Sequence, residues 1–262
     1  MSVRILVSND DGIASEGLAA LAGAMAPLGE VWVVAPDREQ SASSHALSLS
    51  RPLRVKKMKP RWFAVDGTPA DCSYLAINHL MKGSPPDLMV SGINRGANLA
   101  DDVTYSGTVA AAMEALLLGV PAIAFSLVSR HAFDFRPAAR FARQLAGYLL
   151  DRAPVGKWLL NVNVPEKAPQ GYAVTRLGKH SYGNEVVEKT DPRGRRYYWI
   201  GGNSFTHQDI PGSDCNAVLR DGLISVTPLH LDLTEYSQVG AVGEWKLKGY
   251  RQRFPQYAAK KR

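Results

Sequence analysis

The feature that most constrains this chain is a set of short, almost wholly apolar runs, each cut off by a polar segment. Val3–Val7 runs into Ser8-Asn9-Asp10-Asp11-Gly12, Val31–Ala35 into Pro36-Asp37, and Leu88–Val90 into Ser91-Gly92. Pro121–Phe125 and Leu159–Val164 repeat the pattern, the last stopped by Pro165. Runs this short and this apolar read as strands buried on both faces, which need cover above and below. Helical patterns between them supply it. Gly17–Leu28 carries Leu18, Leu21, Met25 and Leu28 at helical spacing, with Gly29 where a C-cap would sit. Asp71–Met81, Thr108–Leu118 and Arg136–Leu150 read as further helices. Strands alternating with helices predict an α/β fold built on a parallel sheet.

The rest of the chain is less regular. In Leu53–Val65 basic and apolar residues interleave, as in an exposed hairpin. Tyr172–Leu177, Arg196–Gly201 and Leu223–Thr227 read as strands among polar loops, and residues 180–202 as an extended arm or hairpin. No repeat or low-complexity linker divides the sequence. It reads as a single domain over 1–262, with an arm near 180–202 and a basic tail at 246–262.

Composition excludes several classes. With 262 residues, 45% hydrophobic and 21% charged, the chain can bury a real core and is neither disordered nor a disulfide-stapled miniprotein. Its two cysteines, Cys72 and Cys215, suit a reducing cytoplasm. No apolar run is long enough to span a bilayer and no signal peptide is expected, so the expected location is cytoplasmic. The net charge of +7 is a property of the tail: residues 246–262 hold seven basic residues and no acid, leaving 24 of each sign elsewhere. Such a tail can touch nucleic acid, but no nucleic-acid-binding motif accompanies it, and a solvated terminus is the simpler reading.

Open α/β sheets bind ligands at the carboxyl ends of their strands. Here those ends carry the chemistry. Asp10 and Asp11 are adjacent carboxylates at the mouth of an apolar strand, where they repel each other and where burial without a partner is costly. A hard divalent cation relieves both problems: oxygen ligands suit Mg²⁺, Mn²⁺ or Ca²⁺, and the cofactor expected is Mg²⁺ or Mn²⁺. An Asp-Gly turn with Asp10 as a helix cap accounts for the same residues on spacing alone. Ser106-Gly107-Thr108 opens directly into a helix, whose free N–H groups and positive dipole end suit a phosphate, or which is simply capped there. Asn94 and Asn98 offer neutral oxygens or N–H donors, or serve as turn residues, and Ser41 also reads as a cap. Phosphate-loop, dinucleotide-fingerprint, nucleophile-elbow and zinc patterns are all absent from the sequence.

Taken together, ILVSNDDGIASEGL, VVAPDREQSASSHALSL, VDGTPADCSYLAI and the run from Pro86 to Leu127 resemble the SurE (stationary-phase survival protein E) family of nucleotide phosphatases. The likeness covers most of 3–127 and continues more loosely through 191–202 and 223–234. It implies a metal-dependent hydrolase of nucleoside 5′- and 3′-monophosphates, acting also on short polyphosphate. The implied fold is a Rossmann-like three-layer sandwich. Its β-hairpin arm and C-terminal segment are exchanged between subunits of a homodimer or homotetramer. The likeness places the metal on Asp10, Asp11, Ser41 and Asn94, and phosphate binding on the Ser106-Gly107-Thr108 loop. Asn9 and Asn98 are expected to join that loop in orienting phosphate oxygens. The expected catalytic residues are Asp10, Asp11 and Asn94, with one of the two aspartates as base. A module that binds nucleotide and metal without turnover is the alternative.

Overall fold

The computed structural model describes residues 2–129, 133–152, 158–167, 169–182, 186–200 and 205–250. In chain order, the first half gives β1 (Arg4–Ser8), α1 (Glu16–Met25), β2 (Glu30–Pro36), β3 (Val55–Lys59), β4 (Trp62–Val65), α2 (Pro69–Leu75), β5 (Leu88–Arg95) and α3 (Gly107–Leu117). The second half gives β6 (Ala122–Val128), α4 (Arg136–Arg152), β7 (Leu159–Pro165), β8 (Tyr172–Val174), β9 (His180–Tyr182), β10 (Val186–Thr190), β11 (Arg196–Ile200), β12 (Phe205–His207), β13 (Ile224–Pro228) and α5 (Tyr236–Gly243). Nine strands form one sheet in the order β3-β4-β2-β1-β5-β6-β7-β13-β8. The run from β4 to β7 is parallel throughout, while β3 and β13 are antiparallel to β4 and β7. This is the mostly parallel α/β sheet that the apolar runs predict.

The strands alternate more strictly than their composition suggests. Ile5, Val7, Leu88, Val90, Ile123, Phe125, Leu160 and Val162 share one core with α1 and α4. The residues between them turn to the face covered by α3. Near the carboxyl ends that face becomes polar: Ser8 pairs in register with Ser91, Ala124 with Asn161, and Ser126 with Asn163. Ser8, Ser91, Ser126, Asn161 and Asn163 are all fully buried. The Ala-rich surface of α3 lies against this row because only small side chains leave it room.

Three boundaries depart from the sequence reading. Gly29 is not a helix cap; α1 closes at Ala26. A Cβ on Gly29 would stand 2.3 Å from the Val3 carbonyl oxygen, so the glycine serves close approach to β1 instead. β5 does not stop at Ser91 but continues to Arg95 through an irregularity in its pairing with β6 between Ser91 and Asn94. The helix expected over Asp71–Met81 begins at Pro69 with a Thr68–Asp71 capping box and loosens into a π turn at Ala76–Leu80.

The interleaved segment is the expected hairpin: β3 is exposed along its whole length and forms one edge of the sheet, opposite three-residue β8. The arm is an antiparallel pair, β10 with β11, exposed at every residue, and β9 pairs with β12. Residues 1–229 form one compact unit and 230–262 a second. In the second unit α5 has no buried residue, and most of the basic tail, 251–262, lies outside the described residues. Among the described residues no helix is long and apolar enough to cross a membrane.

Two glycines of α1 test this packing. A Cβ at Gly17 would meet the Ile93 carbonyl oxygen at 2.1 Å, whereas one at Gly23 meets nothing within 4 Å. Gly17→Ala is expected to destabilise the fold by about 1–3 kcal/mol. Gly23→Ala is expected to stabilise it by about 0.5–1 kcal/mol. Urea unfolding of the two variants checks both.

Candidate active site

From β1 the chain leads outward to β2 on one side, and β5 lies on the other. Their carboxyl ends therefore flank the crevice where such a sheet takes its ligands. Asp10 and Asp11 follow β1 directly and Asn94 lies near the end of β5. The loop after β2 folds across: the Gln40 N–H donates to the Asp10 carbonyl (2.8 Å) and the Ser44 N–H to the Tyr105 carbonyl (3.1 Å). Gly12, at φ +95°, lets the two loops meet backbone to backbone; a Cβ there would stand 3.0 Å from the Arg38 carbonyl carbon. Four segments distant in sequence thus converge on one place.

Asp10 is 4% exposed, and its Oδ1 accepts a hydrogen bond from the Thr108 hydroxyl. Gly107 keeps the start of α3 close: a Cβ there would lie 2.8 Å from the Asp10 Cβ and 3.0 Å from Oδ2. Burial raises the Asp10 carboxyl from 3.8 to about 6; the Thr108 hydroxyl opposes this, and the charge of Asp11 adds to it. The α3 terminus is therefore aimed at a protein carboxylate, and Thr108, expected at the phosphate, holds Asp10. Asp11 is more open. Burial raises its carboxyl too, the Arg95 N–H (3.3 Å) and the Arg95 charge pull it down, and Glu39 pushes it up.

The remaining expected residues are placed as follows. Ser41 is exposed on the crossing loop and its hydroxyl donates to Glu39 Oε1 (2.7 Å). Asn94 is half-buried, its amide donating to the Gly96 carbonyl (3.1 Å). Ser106 caps α3, its oxygen accepting from the Val109 N–H (3.1 Å). Asn9 donates to the Gly12 carbonyl (3.1 Å) and Ser15 Oγ (2.7 Å), while its buried Oδ1 has no partner among the described residues. Asn98 is engaged in the polar face of the sheet. Its amide donates to Ser126 Oγ (2.8 Å), its N–H to Asn163 Oδ1 (2.8 Å), and its carbonyl accepts from Asn161 (2.8 Å) and Asn163 (3.0 Å).

Sequence reasoning missed several participants. Glu39 and Arg95 set the charge around Asp11, with the Arg95 guanidinium held by Glu16 (2.9 Å) and lying 5.7 Å from the Phe133 ring centroid. Asn161 and Asn163 fix the loop that leads to α3. The signal for these last two was present: two asparagines at alternate positions of an otherwise apolar strand.

The fold and this site define an α/β protein that gathers paired carboxylates and a helix N-terminus at its switch point. The comparisons with known proteins place it more closely. The family model described as survival protein SurE matches residues 5–184. The 5′-nucleotidase SurE of Myxococcus xanthus is 66% identical over 253 residues, 96% of this chain and 97% of that protein. That of Geobacter sulfurreducens is 53% identical over 95% of this chain and 96% of its own. The crystal structure of the SurE protein from Aquifex aeolicus superposes with a TM-score of 0.82 at 42% identity, covering 91% of this chain and 98% of that one. The chain belongs to the SurE family.

The raised Asp10 carboxyl has a consequence for stability. An unfolded aspartate titrates near 3.9, whereas the folded one titrates at about 6. Ionising it in the folded protein costs nothing below about pH 4 and its full amount, about 3 kcal/mol, above about pH 6. With a chelator present, Asp10→Asn is expected to raise stability against urea at pH 7.5 by up to about 3 kcal/mol and to leave it unchanged near pH 4. An equal effect at both pH values contradicts the burial of this charge.

Proposed function

We propose that this chain is a phosphomonoesterase that hydrolyses nucleoside 5′- and 3′-monophosphates, with short polyphosphate as a further substrate and Mg²⁺ or Mn²⁺ as its metal. The observation that carries this reading is the meeting of Asp10, Asp11 and the N-terminus of α3 at the switch point of the sheet. The names of the relatives, 5′-nucleotidases that match nearly the whole chain, support it.

The donor set fits a hard cation. Burial makes both carboxylates reluctant to carry charge alone, with the charge of Asp11 adding to it at Asp10 and that of Glu39 at Asp11, and a divalent ion offsets these penalties. Among the described residues no three His, Cys, Asp or Glu side chains group as a metal site, so neutral oxygens complete the set. Ser41 and Asn94 supply that type of ligand. The Asn9 Oδ1, buried without a partner among the described residues, is a further oxygen at the same strand end. Such an ion supplies Lewis acidity that offsets the phosphate charge and makes water a competent nucleophile at neutral pH.

The chain's own residues do the rest. Thr108 holds Asp10 in one orientation, and the α3 dipole favours negative charge beside it. Asp11 is the more exposed carboxylate and is the one we assign as base, accepting the proton of the attacking water. The half-exposed Arg95 lies beside Asp11 and supplies positive charge at the rim for an incoming phosphate. We assign the attack on phosphorus to water directly.

The catalytic domain carries its arm outward. Val186, Tyr198, Trp199 and Ile200 on that arm are exposed, Ile200 at 93%. A monomer rarely leaves such a strip uncovered. We assign it to a second copy of the chain, in a homodimer or homotetramer formed by arm exchange. The location we assign is the cytoplasm.

The test is phosphate release from a panel of 5′- and 3′-nucleoside monophosphates and tripolyphosphate, with EDTA, Mg²⁺ or Mn²⁺. Release that requires the metal is expected, with Asp10→Asn and Asp11→Asn each lowering kcat by at least about 10²-fold. Tight nucleotide binding without release identifies a binding module instead. Unchanged turnover in both variants at saturating metal overturns the assignment of the site.

A further inference from the structure

The loop that carries Ser41 has no regular structure, yet it is fixed at many points. Two of its residues, Ala42 (φ 57°) and Ser44 (φ 53°), hold the left-handed conformation that side chains disfavour. Such a conformation persists only where the surroundings impose it. Here Ser44 is tied to the Thr104 and Tyr105 carbonyls, the Ala46 carbonyl accepts from Thr68 Oγ1 (2.7 Å), and the Ser48 N–H donates to Asp71 Oδ1 (2.8 Å). All of these bonds use surface loops or helix caps. The remaining one reaches into the core: His45 Nε2 meets Glu114 Oε2 at 2.7 Å.

Glu114 is unusual where it stands. It is the one charged residue of α3, set in an Ala-rich helix and 4% exposed. A buried carboxylate without a partner is strongly destabilising, and an alanine-rich helix gains nothing from it as a helix. The pair completes a ring. Gln40 donates to the Asp10 backbone, the loop runs on to His45, His45 meets Glu114, and six residues back along α3 Thr108 donates to the Asp10 side chain. Ser41 lies inside that ring. Its own side chain bonds only within the loop, to Glu39, so its position is set by the loop's anchors.

We propose that His45 and Glu114 form a latch that seats the Ser41 loop over Asp10, making His45 a positioning residue of the active site. The inference rests on the reading of Ser41 as a metal ligand only for its effect on metal binding; the seating of the loop stands apart from it.

Two measurements separate these points. The first is hydrogen–deuterium exchange of the full chain in EDTA, following peptides that cover 40–48 and 107–117. The bonded amides of Gln40, Ser44 and Ser48 are protected in the wild type if the loop is seated. His45→Ala removes a side chain that is 29% exposed and takes this partner from Glu114, while His45→Gln keeps a donor there. The Ala variant is expected to speed exchange over 40–48 about tenfold or more, the worth of a charge-assisted hydrogen bond, and more than over 107–117. The second is calorimetric titration with Mn²⁺. The same variant is expected to bind about tenfold more weakly, with His45→Gln, which retains a donor, recovering most of both losses. Unchanged exchange over 40–48 in His45→Ala, or a Gln variant no better than Ala, overturns the latch. Wild-type protein that binds no Mn²⁺ or releases no phosphate overturns the metal and nucleotidase readings, while the exchange result still decides the latch.

Discussion

Asp10 is a carboxylate at the mouth of the central strand with almost no access to water, and the elements around it are arranged to make that tolerable. Burial pushes its carboxyl up to about 6, outweighing the hydrogen bonds from α3 that favour the anion. The start of α3, the glycine at its first position and the loop after β2 all close on this one group. A divalent cation, the ligand proposed above, would offset the cost of that buried charge.

The polar face of the sheet extends the same logic. Asn161 and Asn163 occupy core positions where valine would pack as well, and they spend their amides on the backbone of Asn98. On the same route, the buried carboxylate of Asp214 accepts from the N–H groups of Ala100 (2.9 Å), Gly178 (2.7 Å) and Cys215 (2.8 Å). Hydrogen-bonded networks of this kind fix one arrangement where an apolar contact would allow several. The path from β5 to α3 has little regular structure, so side chains from neighbouring elements supply the rigidity that a helix or strand would otherwise give.

Much of this was legible in the sequence. Apolar runs of strand length alternating with helical patterns gave the sheet, and adjacent aspartates after the first run marked the strand end where we propose the site. Two kinds of information were not legible. Long-range partners such as Glu114 with His45, 69 residues apart, depend on which helix crosses which loop, and periodicity does not encode that. Local partners were not legible either: the Thr108 hydroxyl donates to Asp10 and the Asn98 amide to Ser126, contacts that spacing does not announce. Gly29 shows the same limit, since a glycine after a helix caps it or yields to a neighbouring strand, and only the neighbour decides.

The two borders of the nine-stranded sheet carry a consequence for how copies of this chain meet. One border is β3, where Lys56, Lys57 and Lys59 stand along an exposed strand; the other is β8, only three residues long. Neither offers a long uncharged template onto which a foreign strand can dock, because an incoming backbone would meet a row of ammonium groups or run out of pairing. Open-ended stacking of sheets into fibres is thereby discouraged at both flanks, in a molecule whose projecting hairpin displays aromatic residues to solvent.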